Sequence, residues 1–300
     1  MVTNSVFLFF IDGLGIGERG GHNPLSQIEG VEPLAHFQNE TSKVIFDGVM
    51  IPTDACLGIE GRPQSASGQT TILTGINAPK LLGHHKQGFP NQALRDVIAE
   101  HSIFLQLECL KITPNTFANA YTPQFFEGTP RWKSATTCAV ESSSTVRFRT
   151  LEDLKRNESV FMDFTNSVLR ARDFDVELWS ANKAGKVLAD LSKKHRFTLY
   201  EYFITDKIGH DQDFNLAKKV LPELAEVVRT LLENVDLQNT TVILTSDHGN
   251  IEYLSKRNHT LNQVPTIIWG KYRQIIAKQI DSLADITPSI IRILNQSFEK

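Results

Sequence analysis

Residues 6–13 read Val6-Phe-Leu-Phe-Phe-Ile11-Asp12-Gly13, an apolar run that stops at a carboxylate and a glycine. An apolar run without alternation predicts a strand that is buried on both faces, as in the centre of a parallel sheet. Residues 241–249 follow the same pattern as Thr241-Val-Ile-Leu-Thr245-Ser-Asp247-His248-Gly249. The two runs therefore predict central strands of one sheet. Each run is followed by side chains of the types that can bind metal ions.

Further strand and helix patterns alternate along the chain. Other strands are predicted over Lys43–Phe46, Thr116–Tyr121, Thr198–Thr205 and Val264–Trp269. Helices are predicted over Asn91–Glu100, Ser180–Lys194, Asn215–Val235 and Ile286–Leu294. This alternation predicts an α/β fold in which helices cover both faces of a mostly parallel central sheet, which is a three-layer sandwich.

The character of the sequence changes between Thr122 and Phe197. The run Gly128-Thr129-Pro130 breaks the chain, and Ser134–Arg149 is rich in Ser and Thr and fits either a helix or a loop. We therefore expect residues 122–197 to form a small inserted cap that selects the substrate. Residues 1–121 and 198–300 would then form the catalytic core.

The composition is that of an ordinary globular chain, with 41% hydrophobic and 22% charged residues among 300. A formal net charge of −3 gives no electrostatic attraction for nucleic acid or an anionic membrane, so neither is expected as a partner. The apolar run at residues 6–11 is too short for a signal peptide, and the three widely spaced cysteines do not suggest a disulfide framework. We expect a cytoplasmic protein that acts on a small molecule; the oligomeric state is not indicated.

Metal-binding side chains follow or precede several of the predicted strands. They are Asp12, Asp206, His210, Asp247, His248 and His259. Ligands in open α/β sheets bind beyond the carboxyl ends of the strands, so a sheet that is parallel across these strands would bring all six to one edge. Each residue alone fits an ordinary turn or cap, and only their joint occurrence favours a site. Carboxylates and imidazoles without cysteine suit Zn²⁺ or Mn²⁺.

A candidate nucleophile lies in the segment Arg62-Pro-Gln-Ser65-Ala-Ser67-Gly68-Gln69-Thr70-Thr71. A serine hydroxyl attacks phosphorus only when a base or a metal ion lowers its effective pKa. Any run of Ser and Thr also fits a cap at the start of a helix, so the segment alone does not decide. Ser65 and Ser67 are both hydroxyls in this short segment, so chemistry alone does not choose between them.

The chemistry-bearing motifs occur in a fixed order. They are Asp12 after the first strand, Ser65-Ala-Ser-Gly68, Asp206-Lys-Ile-Gly-His210, Asp247-His248-Gly249-Asn250, His259-Thr260 before Val264-Pro265, and Asp285-Ile286-Thr287-Pro288. This set resembles the alkaline phosphatase superfamily, most closely the branch of cofactor-independent phosphoglycerate mutase and phosphopentomutase. The resemblance covers the beginning and the last third of the chain. It departs from the mutases at Gln69, where they often have histidine.

The resemblance implies an alkaline phosphatase-like fold and two divalent cations, Mn²⁺ or Zn²⁺. One cation would be held by Asp206, His210 and His259, and the other by Asp12, Asp247 and His248, with Ser65 at or between them. The three-residue spacing to Gly68 in the resembling motif implies that Ser65 is the nucleophile, and we then expect Ser67 to cap the helix that follows. The implied activity is phosphoryl transfer from a small phosphate ester through a phosphoserine intermediate, as in a phosphoester hydrolase or a phosphomutase. Two cations about 4 Å apart can clamp the attacking and leaving oxygens of an in-line displacement.

Two alternatives remain open on the sequence. Gly15-Ile-Gly17-Glu-Arg-Gly20 matches the dinucleotide fingerprint of NAD(P)-binding oxidoreductases and follows a strand. That fingerprint requires a helix directly after it, and the glycines and prolines up to Pro33 leave no clean helix there. The second alternative is a catalytically silent relative that binds metal.

Substrate contacts are predicted less directly. Arg147 and Arg149 are the predicted anion-binding residues of the cap, and His84 and His85 are candidates in a loop. Solvated surface side chains are the ordinary explanation for each of them. The sequence does not identify the substrate.

Overall fold

The computed structural model describes residues 4–128 and 133–296. The strands are β1 (Ser5–Ile11), β2 (Val49–Thr53), β3 (Asn115–Phe117), β4 (Ala120–Tyr121), β5 (Arg149–Thr150), β6 (Phe197–Tyr202), β7 (Thr240–Thr245) and β8 (Val264–Trp269). The helices are α1 (Pro24–Gln27), α2 (Ser65–Thr74), α3 (Ala78–Leu82), α4 (Gln92–His101), α5 (Ile103–Cys109), α6 (Pro123–Phe126), α7 (Ala135–Glu141), α8 (Leu151–Lys155), α9 (Ser167–Arg170), α10 (Ala181–Lys194), α11 (Ile204–Asp211), α12 (Phe214–Asn234), α13 (Arg273–Ala277) and α14 (Ile286–Leu294).

Six strands form the central sheet in the order β2-β8-β7-β1-β6-β3. β1 pairs in parallel with β6 and β7, and β3 pairs in parallel with β6. β8 is antiparallel to both of its neighbours, β7 and β2. The sheet is therefore mostly parallel, as the alternation of elements predicted.

The central strand β1 lies between two hydrophobic layers. On one face Phe7, Phe9 and Ile11 pack in a cluster with residues of α10 and α12. On the other face Val6, Leu8 and Phe10 pack in a cluster with residues of α2, α7 and α14. Full burial of one such side chain contributes about 1.5–3 kcal/mol, so apolar residues on both faces of β1 stabilise both layers. The three-layer α/β prediction is confirmed.

Several predicted elements differ from the structure. The strand predicted at Lys43–Phe46 is wrong, because Ile45–Asp47 forms a 3₁₀ turn and the strand begins at Val49. The strand predicted at Thr198–Thr205 ends at Tyr202, and α11 begins at Ile204. The last residues of that apolar run belong to a helix, since a continuous apolar run fits a buried strand or a buried helix equally well.

The segment 122–197 contributes to both helical layers. α10 packs against α12 and against β1 and β6, and α7 packs against α2, α4 and α5. The predicted break at Thr129-Pro130 lies outside the described residues. The cap boundary and its role in selecting substrate remain a prediction.

Cys56, Cys109 and Cys138 are free thiols. Among the helices of the described ranges, none combines the length and the apolar character needed to cross a membrane. Neither observation alters the assignment of the chain to the α/β class, which rests on the sheet and its two helical layers.

Candidate metal centre

The predicted ligands approach one edge of the sheet by different routes. Asp12 directly follows β1, and Asp247 and His248 follow β7, at the carboxyl ends of two neighbouring parallel strands. Asp206 and His210 follow β6, but they lie one helical turn apart on α11. An i, i+4 pair on a helix projects from one face, so α11 presents both side chains together.

His259 reaches the same edge because β8 is antiparallel. It lies in the loop before β8, and the first residue of that strand, Val264, pairs with Thr53 at the end of β2. A parallel strand in this place would have put its preceding loop at the opposite edge. The reversed direction of one strand therefore completes the set of six side chains.

The six side chains form two groups. The inner group is Asp12, Asp247 and His248, and the outer group is Asp206, His210 and His259. In the inner group His248 Nε2 lies 3.2 Å from Asp12 Oδ1 and 3.5 Å from Asp247 Oδ2. In the outer group His259 Nε2 lies 3.4 Å from Asp206 Oδ1 and 3.1 Å from His210 Nε2.

His248 joins the two groups. Its ring stacks on that of His259 with centroids 3.6 Å apart. One ligand atom from each of Asp206, His248 and His259 lies within 4.8 Å of the others, and the same holds for Asp12, Asp247 and His248. Two sets of donors that share a histidine have the arrangement expected for two adjacent cations.

The inner group contains buried polar atoms without partners, and this fits a bound cation. Asp12 Oδ1 and His248 Nδ1 are buried and have no hydrogen-bond partner. Burial, followed by the neighbouring carboxylate of Asp247, raises the pKa of Asp12 well above its usual range. Burial, opposed by His248 and reinforced by Asp206, also raises the pKa of Asp247. Buried carboxylates with an open acceptor favour a bound cation, because unpaired buried charge is costly.

The outer group compensates much of its own charge. Burial raises the pKa of Asp206, but hydrogen bonds from His210 and His259 outweigh it and hold that pKa well below its usual range. The same contact with Asp206 raises the pKa of His210. Asn250 Nδ2 also donates to Asp206 Oδ1 at 2.7 Å. An amide and two imidazoles therefore fix the orientation of this carboxylate.

Gln69 fixes the inner carboxylates in a similar way. Its Nε2 donates to Asp12 Oδ2 at 3.0 Å and to Asp247 Oδ2 at 3.1 Å. The residue that departs from the mutase pattern is therefore in direct contact with two predicted ligands. Its amide group orients both carboxylates, leaving Asp12 Oδ1 open.

Close packing explains the glycine in Ser65-Ala-Ser-Gly68. A Cβ at Gly68 would lie 3.0 Å from both Cβ and the carbonyl oxygen of Asp247. Glycine lets the first turn of α2 approach the end of β7, and Ser65 stands one turn earlier on the same helix. The three-residue spacing thus sets Ser65 beside the inner group.

The hydroxyl of Ser65 contacts the metal centre, whereas the hydroxyl of Ser67 bonds to backbone groups. Ser65 Oγ lies 3.0 Å from His248 Nε2. Ser67 Oγ donates to the carbonyl of Gln64 and accepts from the backbone N–H of Lys86 at 3.0 Å. The prediction that Ser67 caps the following helix is wrong, because α2 already begins at Ser65 and Gln64 is its cap residue.

The family follows from the match over nearly the whole chain. Residues 4–297 match the family described as the metalloenzyme superfamily. The chain belongs to the metalloenzyme superfamily. The predicted resemblance to alkaline phosphatase-like enzymes is confirmed by this match together with the relatives described next.

Curated relatives of this metalloenzyme are 2,3-bisphosphoglycerate-independent phosphoglycerate mutases. The enzyme of Methanococcus vannielii is 30% identical over 86 residues, which are 29% of this chain and 21% of that protein. The enzyme of Ehrlichia canis is 30% identical over 125 residues, which are 39% of this chain and 25% of that protein. The chain thus matches about a fifth to a quarter of the length of these relatives.

Solved structures show the fold of this metalloenzyme. A protein from Pyrococcus horikoshii aligns over 100% of this chain and 99% of its own, with a TM-score of 0.56 and 16% identity. Alkaline phosphatase from the Antarctic bacterium TAB5 aligns over 98% of this chain and 99% of its own, with a TM-score of 0.53 and 12% identity. At these identities the comparison establishes the fold alone.

In this metalloenzyme, the first glycine of the dinucleotide-like motif leaves room for a buried carboxylate. Glu252 is fully buried, and it accepts from Gly15 N at 3.1 Å, Thr260 Oγ1 at 2.5 Å and Asn262 Nδ2 at 3.0 Å. A Cβ at Gly15 would lie 2.2 Å from Glu252 Oε1. The next helix along the chain, α1, has four residues and begins only at Pro24. These facts remove the support for the NAD(P)-binding alternative.

The predicted substrate contacts are not brought together with the metal ligands. Arg147 forms a bidentate ion pair with Asp153, at 2.6 and 2.7 Å. Arg149 donates to Thr116 Oγ1 at 3.0 Å and lies beside His195, which precedes β6. Arg149 is therefore engaged near the amino end of β6, and Arg147 is paired with an acid six residues further along the chain.

His84 and His85 lie in the loop after α3. The imidazole of His84 is within hydrogen-bond distance of the carbonyl of Leu82, and that of His85 of the carbonyl of Ile59. Burial lowers the pKa of His85. Their contacts are with backbone of surrounding loops, so the geometry gives neither histidine a role at the centre.

Sequence reasoning missed a buried acid near the inner group. Glu201 lies near the end of β6 and accepts from Thr136 Oγ1 at 2.7 Å. Burial raises the pKa of Glu201 to about 7. Its charge also contributes to the raised pKa of Asp12. The one available signal was a glutamate inside an otherwise apolar strand pattern, which marks a buried polar side chain with a partner.

Proposed function

We propose that this chain is a phosphoryl-transfer enzyme that uses two divalent cations and a phosphoserine at Ser65. The observation that carries the proposal is the 3.0 Å contact between Ser65 Oγ and His248 Nε2, because His248 belongs to both sets of donors. A hydroxyl at the junction of two cation sites is a competent nucleophile. Membership of the metalloenzyme superfamily and the matches to phosphoglycerate mutases support this chemistry.

The proposed ligand sets follow the inner and outer groups. One cation would be held by Asp206, His210 and His259, and the other by Asp12, Asp247 and His248, with Ser65 between them. When bound, the cations supply the positive charge that lowers the pKa of a nearby hydroxyl and neutralises phosphate oxygens. The donor chemistry suits Mn²⁺ or Zn²⁺.

The residues of the chain carry the transfer itself. Ser65 Oγ gives up its proton and forms a bond to phosphorus, while the bond from phosphorus to the alcohol oxygen breaks and that oxygen is protonated. The N-terminus of α2, which begins at Ser65, favours an anionic group there through the positive end of the helix dipole. A second transfer, to water in a hydrolase or to another hydroxyl in a mutase, restores Ser65.

Trapping the phosphoenzyme tests this proposal. The metal-loaded protein would be mixed with a panel of phosphate esters, quenched in acid, digested and sequenced by mass spectrometry. We expect phosphate on the peptide that contains Ser65, and no phosphate on that peptide in Ser65→Ala. Phosphate at Ser67, Thr70 or Thr71, or turnover by Ser65→Ala at the normal rate, would overturn the assignment of the nucleophile.

The remaining sequence-based expectations stay predictions. They concern the choice between Mn²⁺ and Zn²⁺, a cytoplasmic location, a small phosphate ester as substrate, and the absence of nucleic acid and membrane partners. Metal analysis of the purified protein and the ester panel address the first and third directly. A catalytically silent relative would bind the metals and turn over no ester in that panel.

A further inference from the structure

Glu252 is a buried carboxylate that belongs to neither metal group. It lies four residues after His248, in the segment that follows β7. A carboxylate that leaves water loses several kcal/mol of hydration unless donors in the protein replace the lost hydrogen bonds. Glu252 therefore needs donors, and the segments that supply them are bonded to one another through this side chain.

The donors to Glu252 come from two loops beside the metal centre. Gly15 N, in the loop after β1, donates to Oε2 at 3.1 Å. Thr260 Oγ1 donates to Oε1 at 2.5 Å, and Thr260 is the chain neighbour of His259. Asn262 Nδ2, in the same loop before β8, donates to that oxygen at 3.0 Å. One carboxylate thus bonds the loop after β1 to the loop that carries His259.

The three segments joined by Glu252 contribute to both metal groups. The loop after β1 begins at Asp12, an inner residue, and the turn after β7 contains His248, which joins the two groups. The loop before β8 supplies His259 of the outer group. Because the rings of His248 and His259 are stacked with centroids 3.6 Å apart, a shift of one segment against another changes the spacing of the groups.

The backbone approaches Glu252 closely on two sides. A Cβ at Gly15 would lie 2.2 Å from Oε1, and a Cβ at Gly249 would lie at the same distance, so a larger residue at either position would displace the carboxylate from its donors. Thr260 N also donates to Gly249 O at 2.9 Å, beside the carboxylate. A side chain confined in this way is suited to hold the segments around it at a fixed separation.

We propose that Glu252 is a positioning residue: its hydrogen bonds to the loop after β1 and to Thr260, beside His259, set the separation of the two cations. Two-metal sites act on phosphate esters with their cations about 3.5–4 Å apart. Groups that orient metal ligands matter in general, and their loss costs about 10–100-fold in metal affinity or activity. The inference rests on the proposed function, since it requires two cations.

Electron paramagnetic resonance of the protein with two bound equivalents of Mn²⁺ measures this separation without turnover. Two Mn²⁺ ions at the proposed distance should give the spectrum of a magnetically interacting pair, and the interaction weakens as the ions move apart. Glu252→Gln keeps the size of the side chain, but its amide NH₂ must face Gly15 N or the donors at Thr260 and Asn262. We expect a weaker interaction in this variant, with kcat about tenfold lower and KM unchanged.

Thr260→Val is a milder variant of the same junction. It removes only the donor beside His259 and leaves the other two hydrogen bonds of Glu252 in place. The interaction between the Mn²⁺ ions should weaken in the same direction as in Glu252→Gln, by a smaller amount. This variant decides the question where Glu252→Gln does not fold.

Asp285→Asn is the matched control. Asp285 Oδ2 also accepts three hydrogen bonds, from Asp281 N, Ser282 N and Ser282 Oγ. Its neighbour Ala284 lies beside Gly75, which caps the end of α2 opposite the nucleophile. The control makes the same change of carboxylate to amide, so it should lower stability and leave the Mn²⁺ spectrum unchanged.

The outcomes separate this inference from the proposed function. An unchanged spectrum in Glu252→Gln, or in Thr260→Val where Glu252→Gln does not fold, would overturn the inference. The same spectral change in Asp285→Asn would also overturn it, because a general loss of stability would then be the cause. Failure of the proposed function would instead appear in the unsubstituted protein, as fewer than two bound equivalents or as two ions that do not interact, and the inference would fall with it.

Discussion

The inner and outer groups of the candidate metal centre are positioned by different kinds of structure. Asp12, Asp247 and His248 follow central strands and are 7%, 0% and 0% exposed. The side chains of Asp206 and His210 lie on a helix of eight residues and are 16% and 37% exposed. The sheet therefore fixes the inner group, whereas a short helix and a loop fix the outer group.

The electrostatics differ in the same direction. Burial and neighbouring carboxylates raise the pKa values of the two inner acids, which leaves them dependent on a cation for their charge. In the outer group, hydrogen bonds from His210 and His259 overcome burial and lower the pKa of Asp206. The comparison teaches that the inner group is preorganised but electrostatically strained without metal. The outer group is electrostatically relaxed without metal, and His210 is its solvent-exposed member.

The largest expected effect is on catalysis at the junction of the two groups. Ser65→Ala removes the proposed nucleophile and should lower kcat by at least about a thousandfold. Both cations should stay bound, because the ligands from Asp and His are retained. Steady-state kinetics with metal analysis on the same sample checks both statements. A loss of metal together with activity would mean that Ser65 is chiefly a ligand.

Ligand substitution should separate the two groups by their metal affinity. Asp247→Asn in the inner group and His210→Ala in the outer group should each lose roughly one of about two equivalents of Mn²⁺. The outer variant should regain its metal at raised Mn²⁺ concentration, since Asp206 and His259 remain as two of its three proposed ligands. Equilibrium dialysis with metal analysis measures this.

The control for these ligand variants is Asp175→Asn, whose side chain is fully exposed, and it should bind both equivalents. Unchanged metal content in both ligand variants would contradict the assignment of the two groups.

Gly15→Ala should disturb the segment that supports the outer group. Its Cβ would lie 2.2 Å from Glu252 Oε1, and Glu252 in turn holds Thr260, the neighbour of His259. Overpacking of this kind costs about 1–3 kcal/mol of unfolding free energy. Denaturant unfolding checks it against Gly21→Ala, where a Cβ would meet nothing within 4 Å. Equal stability of the two variants would show that Glu252 moves aside freely.

Stability without metal should depend on pH mainly through the buried acids. The folded-state pKa values of Asp12 and Asp247 lie above their ordinary value of 3.8, and that of Glu201 is about 7 against 4.5. The folded state then binds more protons than the unfolded state between those limits, so stability rises as the pH falls from about 8 toward 5. His210, whose pKa is raised from 6.5, acts in the same direction.

Burial lowers the pKa of His36 to about 4, so that histidine offsets part of the gain below about pH 6.5. For the metal-free protein we expect a Tm roughly 1–3 °C higher at pH 5 than at pH 8. Asp206 opposes this only below about pH 4, where its lowered pKa begins to cost stability. The metal-loaded protein should show the reverse trend, since protons compete with the cations for the same ligands. Calorimetry with and without a chelator measures both, and a flat metal-free profile would contradict the electrostatic contrast between the groups.

The smallest expected effect is at Ser67, which is near the centre in sequence but outside it in space. Ser67→Ala removes two hydrogen bonds, to Gln64 and from Lys86, and should lower the free energy of unfolding by about 1 kcal/mol. Activity should change little, in contrast with Ser65→Ala. A loss of kcat comparable to that of Ser65→Ala would contradict this expectation and would indicate that the reactive hydroxyl is that of Ser67.

Much of the fold was predictable because local burial leaves a local pattern. The apolar runs at Val6–Ile11 and Thr241–Thr245 predicted the two central strands, and the helical spacing at Ile286–Leu294 predicted α14 over the residues that form it. The pattern failed at Lys43–Phe46 and beyond Tyr202, where short apolar stretches are ambiguous between strand, turn and helix.

The sequence by itself determined which side chains stand at the ends of β1 and β7, and it determined the one-turn spacing between Ser65 and Gly68. Only the tertiary structure decided that His259 joins them, because this depends on the reversed direction of β8. It also decided that Arg149 donates to Thr116 and that the charge of Glu201 acts on Asp12. Strand direction and contacts between distant residues depend on how the chain crosses the sheet. Local periodicity depends only on neighbouring residues, so it cannot predict either of them.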